Sequence, residues 1–92
     1  MPQLFKIGNY WVYFWSNEGI PVEPVHVHVS SNSPVQNATK IWITRAGKCL
    51  LCHNKSKIPA NILNNIKRMI ELKTDYITQK WLERFGEISY YC

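Results

Sequence analysis

The residues best placed to do chemistry are His26 and His28, two apart in the stretch Val25-His26-Val27-His28-Val29. On an extended strand alternate side chains share a face, so both imidazoles point one way and the three valines the other. Paired imidazoles can bind a metal through nitrogen or move protons near neutral pH. Glu18 and Glu23, in the stretch just before, could orient or complete such a site. A metal needs three or four protein ligands in geometry, and the histidine strand supplies two. The plainer reading is a pair of strand histidines hydrogen-bonded to a neighbouring strand or to a partner.

A second cluster is Cys49-Leu50-Leu51-Cys52-His53. Its spacing matches c-type haem attachment. That chemistry normally requires export, and the opening MPQLFKIGNYW has no basic-then-apolar signal pattern, so haem is set aside. Zinc is the better cofactor candidate, because C-x-x-C is a usual half-site and His53 adds a nitrogen donor. Only one such half-site exists, and two ordinary thiols remain the simpler account.

Nucleic acid is the third possibility. Tyr10 to Trp15 holds five aromatics in six residues, and exposed rings beside basic side chains can grip single strands. Lys67, Arg68, Lys80 and Arg84 could contact phosphates. A basic helix face is more often simply solvated, and tryptophans more often serve core or interface. The sequence has no phosphate-cradling glycine loop and implies no Ser-His-Asp arrangement, so it names no reaction.

The elements that must position these residues are legible. Leu4 to Ile7 reads as a strand, Gly8-Asn9 as a two-residue turn suited to type II′, and Tyr10 to about Trp15 as the second strand. Ser16 to Pro24 is a loop, Val25 to Val29 the third strand, and Ser30 to Pro34 another loop. Ala38 to Thr44 is the fourth strand, with Lys40, Trp42 and Thr44 on one face, and Cys49 to Cys52 could be a short fifth. A helix is expected from Pro59 at its first position to a stop at Gly86. Its apolar stripe comprises Ile62, Ile66, Met69, Ile70, Ile77 and Trp81. Lys73 falls within that stripe, so the helix bends near Thr74-Asp75 or Lys73 snorkels to its edge. Glu87 to Cys92 could add an edge strand or trail. The expected fold is α+β: one domain, an antiparallel sheet of about four strands, and one long C-terminal helix across a face.

Composition narrows the setting. At 92 residues, 46% hydrophobic and 18% charged, the chain reads as neither disordered nor membrane-spanning. An odd three cysteines argue against an oxidised secreted framework and so point to the cytoplasm. The net charge of +5, concentrated between residues 55 and 84, suits nucleic acid, an acidic partner or mere solubility. A core this small makes a protein partner or a homodimer a plausible source of added stability.

Three segments carry a family resemblance: Ile7-Gly8-Asn9-Tyr10, Phe14-Trp15-Ser16-Asn17-Glu18-Gly19, and Glu23-Pro24-Val25-His26-Val27-His28-Val29. With the closing helix and its Trp81 and Phe85-Gly86, these resemble the small bacterial family named domain of unknown function 4160. The resemblance implies a small α+β domain. Members carry provisional labels as toxin–antitoxin components or transcriptional regulators, without a settled activity. The Cys49 to His53 stretch departs from that pattern and gains no role from it. The leading expectation is a non-enzymatic module that binds a partner protein, with the histidine strand and Trp15 near the contact surface. The alternatives are a metal-dependent or histidine-based nuclease toxin and a nucleic-acid-binding regulator.

Overall fold

Two-residue alternation and a tight turn build the first hairpin. β1 (Gln3–Ile7) and β2 (Tyr10–Tyr13) pair antiparallel, with Ile7 opposite Tyr10 across Gly8-Asn9. Gly8 has φ +58° while Asn9 does not share a positive φ, as a type II′ turn requires. The computed structural model describes residues 3–15, 23–31, 35 and 37–92. Three further strands follow: β3 (His26–Ser31), β4 (Thr39–Ile43) and β5 (Cys49–His53). All five form one antiparallel sheet in sequence order. The short fifth strand is real, and the sheet therefore has five strands where about four were expected.

Register decides which side chains share a face. Tyr13 lies opposite His28, His28 opposite Lys40, and His26 opposite Trp42. These five consequently project from one side of the sheet. Val12 opposite Val29, and Val27 opposite Ile41, project from the other. That second side, completed by Val25 and Ile43, is fully buried and forms the core with the helices.

The connection into the helices is fixed by Asn54. Its Oδ1 accepts from the Ile58 N–H (3.0 Å) and from Thr39 Oγ1 (2.7 Å), and its Nδ2 donates to the Ile58 carbonyl (2.9 Å). The chain then enters α1 (Ala60–Leu72), with Pro59 at the N-cap rather than inside the first turn. At Lys73 (φ −119°, ψ 18°) the expected single helix breaks, and α2 (Thr74–Phe85) begins. The break removes Lys73 from the buried stripe: its Nζ lies 5.4 Å from the Phe5 ring centroid. Ile66, Ile70, Ile77 and Trp81 are buried as the periodicity requires, joined by Leu63. Met69 is the exception to the stripe, turned outward at 38% exposed. Gly86 closes α2 in the left-handed conformation, its N–H bonded to the Leu82 carbonyl.

Beyond Gly86 no strand forms, yet the segment is tied down. The Val25 N–H donates to the Ser89 carbonyl (2.8 Å) and the Arg45 N–H to the Cys92 carbonyl (3.1 Å). Tyr91 stacks on Trp42 with ring centroids 4.8 Å apart and planes 4° from parallel. Among the described residues no helix is long and apolar enough to cross a membrane.

Trp81 is wholly buried between Phe14 (5.1 Å) and Phe85 (4.5 Å), so truncating it leaves a large void. Trp81→Ala is expected to lower the unfolding free energy by about 3–5 kcal/mol. Met69→Ala should change it by no more than about 0.5 kcal/mol, because Met69 lies outside the core. Urea titrations of the two variants beside the wild type check the contrast.

Candidate functional site

β2, β3 and β4 carry a continuous row of rings across the sheet face opposite the helices. Trp15 meets Tyr13 edge-on at 5.5 Å, and Tyr13 stacks on His28 at 5.8 Å. His28 meets His26 at 4.9 Å, His26 meets Trp42 at 5.6 Å, and Trp42 carries Tyr91. Lys40 sits beside the row, its Nζ 4.4 Å from the Trp42 ring centroid. The same Nζ makes an ion pair with Glu23 Oε1 at 2.8 Å. Glu23 is thus committed to Lys40. Glu18 lies outside the described residues.

The two histidines share a face as expected, but their environments differ. His26 is fully buried, enclosed by His28, Trp42 and, at 5.3 Å, Trp81. Its Nδ1 lies 2.9 Å from the Pro24 carbonyl oxygen, and a carbonyl can only accept, so Nδ1 carries the hydrogen. His28 is half-buried, and it is the imidazole of the pair that reaches the surface. The arrangement orients rings firmly; it does not offer two accessible imidazoles to one substrate.

His53 lies across Lys40 from His28 and extends the face onto β5. Its Nδ1 is buried without a hydrogen-bond partner among the described residues. Burial, then the charges of Lys55 and Lys40 and the nearby His28, hold its pKa below the usual 6.5. The folded protein therefore keeps His53 neutral where the unfolded chain would protonate it. Folding stability should fall as pH drops through about 6.5, since the unfolded state then binds more protons. His53→Asn should flatten that fall, which urea midpoints between about pH 5 and 7 will show. Equal slopes for variant and wild type would contradict the assignment.

The cysteines diverge. Cys49 turns toward α1, where its Sγ lies 3.6 Å from both the Lys67 carbonyl and Glu71 Oε2. Its N–H also donates to Glu71 Oε2 (3.3 Å). Burial, followed by the Glu71 charge, pushes the thiol up to about 12. Cys52 is exposed, next to the register irregularity where β5 pairs with Lys40 and Ile41. Cys49, Cys52 and His53 are not brought together, and among the described residues no three His, Cys, Asp or Glu side chains form a metal-binding group. At about pH 8 a thiol reagent should modify the exposed Cys52 and Cys92 at once and Cys49 only on unfolding. Mass spectrometry should find two labels on the folded protein, at Cys52 and Cys92, and a third only in denaturant.

The basic candidates fall on two helices. Lys67 and Arg68 are on α1, Lys80 and Arg84 on α2, with the Lys73 break between. Lys80 pairs with Glu83 at 3.6 Å, while Arg68 and Arg84 are exposed. The ring row also includes residues that the sequence did not tie to the histidines. Strand alternation puts Lys40 and Trp42 together on one face, and pairing register alone aligns that face with His26 and His28. Tyr91 gave no signal, because its partner is distant in the chain.

A five-stranded antiparallel sheet with its helices on one face, and rings and histidines on the other, defines a small two-layer α+β domain. The family model described as Domain of unknown function (DUF4160) matches residues 9–82, well over half of the chain. The chain belongs to that family. No curated protein and no solved structure gives a significant match.

Proposed function

We propose that this chain is a small cytoplasmic interaction module, without catalysis of its own, that binds a partner protein on the sheet face left open by the helices. The observation that carries the reading is the ring row from Trp15 to Tyr91, with Lys40 beside it. Aromatic side chains with a polar edge supply large contact area at low entropic cost and dominate protein interfaces. Tyr13 and His26 are buried within the row, so the rings it offers to a partner are Trp15, His28, Trp42 and Tyr91. Such a module suits a two-protein system of toxin–antitoxin-like or regulatory type. The burial of His26 weighs against a histidine-centred nuclease, because a general acid or base must reach its substrate.

The test is capture from the protein's own cells, with native mass spectrometry of the tagged protein. The wild type should carry a discrete added protein mass. Trp42→Ala and His28→Ala, shown to be folded by their thermal melts, should each weaken retention by about tenfold or more. Undiminished retention by both variants would remove the sheet face as the contact. A bare monomer holding one metal ion would bring the nuclease reading forward.

A further inference from the structure

Away from the ring row, the outer side of β1 and the flank of α2 enclose a groove of about 390 Å³. Leu4 and Phe14 form its apolar floor, both nearly inaccessible, and Tyr76, Lys80, Glu83 and Arg84 line it from α2. Tyr76, Lys80 and Arg84 recur every four residues and so stand in one row along the helix. The Tyr76 hydroxyl donates to the Leu4 carbonyl (3.3 Å), fixing the ring against the strand. Glu83 is engaged within its own helix, by Gln79 Nε2 at 3.1 Å and Lys80 Nζ at 3.6 Å. Arg84 lies over the Phe85 ring at 5.6 Å and, among the described residues, makes no ion pair. The groove thus joins an apolar floor to a cationic rim with one guanidinium uncommitted.

We propose that this groove binds an acidic, partly apolar peptide segment, seating one apolar side chain against the exposed Tyr76 ring where it lies over Leu4, and a flanking carboxylate against Arg84 and Lys80. The chemistry follows from the lining. Two cations face one carboxylate, and the whole chain carries +5, so anionic ligands are favoured at long and short range. A guanidinium takes a carboxylate bidentately, which adds orientation to attraction. The volume lies at the small end of ligand sites, of room for an anchoring side chain and its neighbours rather than a folded surface. A phosphate backbone would satisfy Arg84 but would leave the apolar contact beside Tyr76 unused. The groove stands apart from the ring row, and its occupant does not depend on what that row binds.

The experiment is fluorescence anisotropy with a labelled, acetylated peptide of alternating Glu and Leu, at low salt. Binding should weaken at least about tenfold in Arg84→Glu, and further in the Lys80→Glu, Arg84→Glu double variant. Arg68→Glu makes the same charge change on α1 and should leave binding within about twofold. Replacing the peptide's Glu with Gln should abolish measurable binding. Trp42→Ala should retain peptide binding even if it loses the partner captured from cells. Equal binding by the charge-reversed variants, or equal loss in Arg68→Glu, would overturn the groove as the site. Tighter binding of a single-stranded oligonucleotide that displaces the peptide would overturn the peptide as its occupant.

Discussion

The contact on which both layers depend is the one Trp81 makes with the start of the sheet. Its indole touches Phe14 and Phe85 within the core and also His26, in the middle of the ring row. One side chain of α2 therefore closes the apolar layer and walls the first histidine. The indole N–H is buried without a hydrogen-bond partner among the described residues, a penalty of about 1–3 kcal/mol. Burying the large ring offsets it, since an aromatic of this size contributes comparable or greater hydrophobic free energy. The same packing explains why His26 is inaccessible although strand alternation alone would place it on a wet face.

Local signals fixed much of this fold, and non-local ones account for what they missed. Gly8 and Gly86 take the left-handed backbone their positions demand, and Val27 and Val29 of β3 face the core at alternate positions. The break at Lys73 was visible only as a conflict, because Ile70 and Ile77 sit seven residues apart with a lysine between them in the stripe. A continuous helix would bury that ammonium; ending α1 and restarting α2 returns Ile77 and Trp81 to the sheet with Lys73 outside. Tyr91 on Trp42, by contrast, is a contact of long sequence separation, set by where the segment after Gly86 runs.

The cysteine pair shows how element type overrules spacing. C-x-x-C makes a metal half-site when a turn curls both thiols to one point. In Cys49 to His53 the same spacing lies on an extended strand, where residues three apart have opposite parity. Cys49 accordingly points at Glu71 and Lys67 of α1, while Cys52 is exposed. Burial and then the acidic neighbour keep the Cys49 thiol protonated, which suits a packing residue and not a nucleophile or ligand.

A two-layer domain covers one sheet face with helices and leaves the other to connecting segments, partners or solvent. Most such sheets dress the open face with polar side chains, which need nothing further from the protein. Here that face carries tryptophan, tyrosine and histidine rings in mutual contact, with Lys40 held between Glu23 and Trp42. Rings locked together by their neighbours lose little further freedom on binding, which lowers the entropic cost of docking a partner against them. The stability of so small a core is limited, and a partner that binds only the folded form would add to it by mass action. The features that look least economical for an isolated domain are thus those that a bound partner would complete.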